Sequence, residues 1–405
     1  MSPLSKLFEK NAIRAVLICF LGFLAGLSVY AGVRNALEYS QDFQWDAAKA
    51  LSMRLDPYEL SEDPDKALEH PELEQFYRMF TDRGLKQKME ANQFPSLLML
   101  LGPMTLFAPQ TAKALWLVIN LLFTAGIIWL LRRTFFSKAQ IFDFAVMMLL
   151  MIAGTPYRNQ LGVGQHTLFA FFFFMLAVYV DERRPSEKAW INTILTALCL
   201  FVSYFKYTLT APLALLFLYR KRYKELAISV AAHVILTAAS ALWLSKSFIY
   251  MIKAPLSVAS ALAAEGGLDL GVLLGAKGGM VAAGLIFIAL TVLVLKFPKD
   301  KEYLLFPLLV LWSLILTYHR TYDFFVLSAV SVMFCDRSAA DHGEKIENAL
   351  VCWYALVLVL VYFGLRVFSE STLSRITVGA VYYAFTIAVS MVAVKMIRDW
   401  KKDNG

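Results

Sequence analysis

The chain has 405 residues, 59% hydrophobic and 17% charged, and a net charge of +8. Soluble domains average about 45–50% apolar and about 25% charged residues, so this composition excludes a single water-soluble core and points to a membrane protein. The Lys and Arg residues fall in small clusters between apolar runs, which argues against a nucleic-acid-binding face and fits loops beside anionic lipid.

The first apolar run, 12–34, is long enough to cross a hydrocarbon core of about 30 Å. It is too long for a signal peptide and lacks a small-residue cleavage site, so it reads as a retained helix. A polar stretch, 35–110, follows and forms the first external loop. It opens with EYSQDFQWDAAKALSMRLDPYEL (38–60), mixes both charge signs over 61–93, and is punctuated by Pro57, Pro64, Pro71 and Gly84. Its apolar residues are too few for an independent soluble domain. It is therefore expected to be a cap on a single integral-membrane domain spanning 1–405. Within it FPSLLMLLGPMTLF (94–107) is short and broken at Gly102-Pro103, which predicts an interfacial or re-entrant helix with Pro95 in its first turn.

Further apolar runs at 111–131, 139–154, 166–180, 189–205, 207–220, 225–244, 279–296, 302–317, 321–335, 346–366 and 375–397 bring the expectation to about twelve crossings. The predicted fold class is an all-α polytopic membrane protein. Basic residues prefer the cytoplasmic side of short loops. With the N-terminus inside, alternation also places inside the segments 132–138, 182–188, 220–224, 296–301, 336–345 and 398–402. Together with the N-terminus these hold more than half of the 39 basic residues. Both termini are then cytoplasmic. Cys19, Cys199 and Cys352 lie in apolar runs and Cys335 at the end of one; they are expected to be buried thiols, without metal-ligand spacing or a disulfide framework.

With that topology, the polar residues that interrupt apolar runs gather on the external side. Ionisable groups at membrane depth are costly unless paired or hydrated, so they mark a water-filled cavity. Asp42 stands just past the first helix, where a carboxylate can act as general base. Asp46 lies one helical turn later and, with Trp45 and Tyr58, could contact substrate; a capping or solvated role is the plainer reading for Asp46 and Asp56. In PYRNQLGVGQH (156–166), Arg158 and Gln165 offer donors, and Gly162 and Gly164 allow close backbone approach. Lys206, in SYFKYT (203–208), suits an anionic headgroup or snorkels to the interface. In TYHRTYD (317–323), His319 can shuttle protons and Arg320 can hold phosphate oxygens, with Tyr318, Tyr322 and Asp323 around them. No Walker, Rossmann or zinc-helix motif is present, and neither a metal nor a cofactor is expected.

These blocks, in this order, resemble glycosyltransferase family 87, the polyprenyl-phosphate-mannose-dependent mannosyltransferases of the integral-membrane GT-C superfamily. The resemblance is carried by YSQDFQWDAAKAL, LDPY, NQFPSLLMLLGPMTLF, GVGQHTLFAFFFF, FKYTLTAPLALLFLYRKRYKE and TYHRTYDFFVL. Two positions depart from the family pattern: Phe94-Pro95-Ser96 stands where members often carry two prolines, and Thr167 where they often carry Asn. The resemblance implies a GT-C-like bundle in the inner membrane whose active site opens on the periplasmic side. It implies inverting hexose transfer from a polyprenyl-phosphate sugar to a glycolipid or glycan acceptor. Asp42 would be the base and His319 its assistant or a donor contact, while Arg158, Gln165, Lys206 and Arg320 hold the phosphate. A transporter or flippase for a lipid-linked sugar or anionic solute is the rival reading, and a non-catalytic assembly partner a third. Against the rival, the chain shows no repeated halves and few Gly or Pro residues inside its spans.

Overall fold

A computed structural model describes residues 11–39, 43–82, 84–85, 88–183, 189–262, 267–299, 301–334, 344–364 and 372–404. Every regular element among them is helical. In a bilayer this follows from the backbone, because a helix satisfies its own N–H and C=O groups where water cannot. Among the described residues, six helical runs are long and apolar enough to cross a membrane: Asn11–Glu38, Pro109–Arg133, Ala189–Tyr219, Tyr223–Trp243, Leu270–Lys296 and Ile376–Asp403. A seventh crossing results if Ile141–Ala153 and Thr155–Val163, which meet at 54°, are one bent span. The expected twelve exceeds this count because several apolar helices are short. Thr167–Glu182 has 16 residues and Glu302–Leu316 has 15, or about 22–24 Å of α-helix.

The elements run as follows. Asn11–Glu38 is α1; the loop after it holds α2 (Trp45–Ser52), α3 (Pro57–Glu62), α4 (Pro64–Leu68), α5 (Pro71–Thr81) and α6 (Pro95–Leu98). The bundle continues with α7 (Pro109–Arg133), α8 (Ile141–Ala153), α9 (Thr155–Val163), α10 (Thr167–Glu182), α11 (Ala189–Ser203), α12 (Tyr207–Tyr219), α13 (Tyr223–Trp243) and α14 (Phe248–Leu262). After these come α15 (Leu270–Leu295), α16 (Glu302–Leu316), a 3₁₀ segment (Thr321–Phe334), α17 (Glu344–Val359) and α18 (Thr372–Asn404).

The run Ala189–Tyr219 is helical throughout but does not continue in one direction. Arg220, at the end of α12, lies 3.3 Å from Asp181 and 2.9 Å from Glu182 at the end of α10. Thr193 on α11 donates to Glu225 on α13 at 3.0 Å. A straight helix of 31 residues would hold its ends about 46 Å apart. These contacts therefore require α11 and α12 to be antiparallel, with the reversal at the 3₁₀ turn Tyr204–Lys206. The same polar end gathers the close of α7, where Phe135 stacks on Phe306 of α16 with ring centroids 4.0 Å apart. It also holds Glu302, which accepts from Arg220 Nε at 3.1 Å.

The 3₁₀ segment explains how a short apolar run can reach far. Its 14 residues extend about 28 Å at 3₁₀ rise, against about 21 Å as α-helix. Because 3₁₀ hydrogen bonds are poorly aligned, its carbonyls welcome outside donors. Tyr354 Oη donates to the Leu327 carbonyl at 2.6 Å and Tyr362 Oη to that of Phe325 at 2.9 Å. α15 is interrupted at Gly275, whose φ of +72° lies in the left-handed region. Its straight course therefore starts past Gly275, close to the predicted run at 279.

The segment between α1 and α7 contributes a core that it shares with the bundle. Leu73, Phe76, Tyr77 and Phe80 line one face of α5 and pack with Phe43, Trp45, Leu51, Tyr58 and Leu97. Trp116, Phe205, Ala241 and Met251 of the bundle complete that core. Concentration on one face, not total number, is what buries these side chains. Trp243 Nε1 ties α13 to the loop by donating to the Leu51 carbonyl at 2.9 Å. Residues 95–106 form α6 and a 3₁₀ turn with Pro95 in the first turn and Leu106 84% exposed. Cys19 and Cys352, expected to be buried, are exposed free thiols. Their helices are apolar on the outward faces too, where lipid rather than protein covers a membrane helix. Cys335 lies outside the described residues.

Candidate active site

Three chain reversals meet at the end of the bundle opposite the Arg220 cluster. α16 stops at Thr317, whose backbone is extended. The 3₁₀ segment starts a few residues on, with Asp323 N–H donating to the Arg320 carbonyl at 3.0 Å. This tight restart brings His319 Nδ1 to 2.8 Å from Asp323 Oδ2. Both side chains are 0% exposed. From the α9–α10 reversal, Thr167 Oγ1 donates to Asp323 Oδ1. From the α11–α12 reversal, Lys206 Nζ stands 3.4 Å from Asp323 Oδ2, with its ammonium 5.3 Å from the centre of the Tyr322 ring. A buried carboxylate is tolerated only when charge and hydrogen bonds compensate its lost hydration. Here one ammonium and two hydrogen-bond donors do so.

Around this carboxylate lies a second layer. His166, which precedes α10, is buried between Phe205 (ring centroids 4.4 Å apart) and Trp116 (5.5 Å), and its Nε2 lies 3.1 Å from the Phe43 carbonyl. Trp116 Nε1 donates to the Gly164 carbonyl at 2.7 Å, and Phe43 stacks on Trp116 at 5.1 Å. The chain entering the cap is thus fastened beside the residue that precedes Thr167. Gly164 ends α9 with φ +70°. From a further side, Asp269 caps α15 by accepting from Gly271 N–H at 2.9 Å. Burial pushes its carboxyl above the usual range, while the Gly271 and His319 N–H groups pull the other way. A Cβ at Gly267 would overlap the His319 carbonyl oxygen, so bare backbone passes directly over the histidine. Among the described residues, no group of three or more His, Cys, Asp or Glu is placed to hold a metal ion.

The structure brings together Lys206, His319 and Asp323 from the predicted set, with Gln165 adjoining His166 and accepting at its carbonyl from Gln160 Nε2. Asp42 lies outside the described residues. Arg158 is half-buried on α9, 3.5 Å from Asn159 Oδ1. Arg320 Nε donates to the Tyr318 hydroxyl, and the two residues form a local pair. Three expected substrate contacts belong to the cap interior instead. Trp45 is buried, stacks on Phe76 and donates to the Met104 carbonyl at 3.1 Å. Tyr58 donates to the Gln93 carbonyl at 2.8 Å. Asp46 accepts from Tyr77 Oη and from Ala47 N–H, each at 2.9 Å. They were misplaced because aromatic residues beside carboxylates suit a sugar site and an amphipathic core equally well. Asp323 is fully buried, and its oxygens serve His319, Thr167 and Lys206. Asp56 takes the capping role, accepting from Tyr58 N–H at 2.9 Å.

Sequence reasoning passed over Thr167, Trp116, Gly267 and Asp269. Thr167 was visible as the hydroxyl directly after Gln-His, and Asp269 as a helix-capping residue before an apolar run.

An all-helical bundle with a buried ionised cluster at one end defines a multi-pass membrane protein with a prepared polar site. The model of Glycosyltransferase family 87 matches residues 95–335, more than half of the chain. The chain belongs to that family and is a membrane glycosyltransferase. No curated protein and no solved structure matches it. The matched region contains Thr167, Lys206, His319 and Asp323, and begins after Asp42 and most of the cap.

Proposed function

We propose that the protein transfers a hexose, mannose by family resemblance, from a polyprenyl-phosphate donor to a hydroxyl of a glycolipid or glycan. The observation that carries this reading is the convergence of Thr167, Lys206 and His319 on Asp323, at the end of the bundle away from the Arg220 cluster. We read that end as periplasmic, the opposite end and both termini as cytoplasmic, and the bundle as GT-C-like with about twelve crossings in the inner membrane. The α11–α12 reversal and the long reach of the 3₁₀ segment support the higher number of crossings.

In this reading the acceptor oxygen attacks the anomeric carbon from the face opposite the phosphate. The glycosidic C–O bond forms as the bond from the anomeric carbon to phosphate oxygen breaks, with inversion. The bonding pair leaves on polyprenyl phosphate, and the acceptor proton passes to the Asp42 carboxylate. Lys206, Arg158, Gln165 and Arg320 supply cations and donors for the charge that grows on the leaving phosphate.

The test is sugar transfer by purified protein in liposomes, with radiolabelled polyprenyl-phosphate hexoses and a membrane lipid extract as acceptor. Asp42→Asn is expected to lower transfer by about 10²–10⁴-fold at unchanged expression. Undiminished transfer would remove Asp42 from the mechanism. Solute movement without covalent transfer would favour the transporter.

A further inference from the structure

We propose that Asp323 is the positioning residue of this site: it holds His319 as the Nδ1–H tautomer, so that Nε2 offers a lone pair to a sugar hydroxyl. The inference rests on the glycosyltransferase reading for its substrate but not for its chemistry. Asp323 receives Thr167 Oγ1 on one oxygen, and His319 Nδ1 at 2.8 Å and Lys206 Nζ at 3.4 Å on the other. Three donors on two oxygens, one of them an ammonium, is the pattern of an ionised carboxylate, which can only accept. Nδ1 must therefore carry a proton, so in the neutral ring the lone pair lies on Nε2.

A second observation points at a ligand. Nε2 of His319 is buried and has no hydrogen-bond partner among the described residues. Buried polar atoms are nearly always satisfied, and one left open beside a fully satisfied carboxylate is an acceptor awaiting a donor. Sugar hydroxyls are such donors. The other tautomer would present an N–H and select an acceptor atom instead, so the carboxylate decides which kind of group the site receives. Thr167 and Lys206 fix the carboxylate, as outer partners fix the orientation of a functional imidazole. The backbone at Gly267, passing over the His319 carbonyl, closes the remaining freedom of that turn.

The test joins a spectroscopic readout to a double-mutant cycle. The chain has five histidines, so the ring nitrogens of His319 can be assigned in ¹⁵N-histidine-labelled protein by comparison with His319→Gln. In the wild type the Nε2 signal is expected in the range of an unprotonated ring nitrogen, and in Asp323→Asn it should move toward the protonated range. Transfer by Asp323→Asn is expected to fall by about 10²–10⁴-fold, chiefly in kcat. In the His319→Gln background the same change should cost nothing further, because both act through one ring. Asp323→Glu should restore part of the loss. Should Asp323→Asn fail to fold, Thr167→Val removes one donor at constant size, and a smaller displacement of the same Nε2 signal is expected. A protonated Nε2 in the wild type, an Nε2 signal indifferent to these variants, or equal losses in both backgrounds would overturn the proposal. If the wild type transfers no sugar at all, the functional reading fails, while the nitrogen signal still decides the tautomer.

Discussion

The two ends of the bundle each bury an ionic cluster, and the clusters are built in opposite ways. At one end a guanidinium, Arg220, serves three carboxylates, Asp181, Glu182 and Glu302, and Arg222 adds a second cation to Asp181 at 2.7 Å. At the other a single carboxylate, Asp323, serves a hydroxyl, an ammonium and an imidazole. The Arg220 fork ties the ends of α10, α12 and α16 together and has its donors engaged. The Asp323 cluster ties as many elements but leaves one ring nitrogen open. A closed cluster can only hold; an open one can also receive.

The difference can be broken from the closed side first. Arg220→Ala leaves three carboxylates without their common cation. Glu182 is about one-third exposed, so water relieves part of the penalty and the expected loss is about 2–3 kcal/mol rather than the full cost of a buried pair. Thermal unfolding in detergent at fixed lipid content would read it, and an unchanged midpoint would deny the clamp.

A third buried carboxylate sharpens the contrast, since the partners of Asp46 are the Tyr77 hydroxyl and the Ala47 N–H. Burial pushes its carboxyl from an ordinary 3.8 to about 6, against the opposing pull of those two hydrogen bonds. The folded cap therefore holds a proton that the unfolded chain has released between those values. The stability from this proton is fully present below about 3.8 and is lost as pH rises through about 6; it amounts to on the order of 2–3 kcal/mol. Asp46→Asn should flatten that part of the stability profile, measured by thermal unfolding between pH 4 and 7 in steps of about half a unit. A slope that survives the substitution would assign it to another group.

Much of this arrangement was legible in the residues. Lys206, His319 and Asp323 stood out because charge at the ends of apolar runs is expensive and must be used. The grouping of basic segments 132–138, 182–188, 220–224 and 296–301 suggested one common side, and the Arg220–Glu182 ion pair joins two of them. What could not be read was which polar groups touch. The His319–Asp323 contact depends on the extended Thr317 and the immediate 3₁₀ restart, neither of which has a hydrophobic period to announce it. Trp45, Asp46 and Tyr58 were drawn toward the site by their chemistry, whereas the one-sided apolar face of α5 pulls them into the cap.

On the proposed reading, the Asp323 end carries sugar transfer and the Arg220 end only supports it. The most direct measurement is transfer per folded molecule for Lys206→Met and Arg220→Ala, side by side in the same liposomes. Lys206→Met is expected to lose about 10²-fold while Arg220→Ala keeps its specific rate despite its lower stability. Full activity in Lys206→Met together with a lost specific rate in Arg220→Ala would contradict the account.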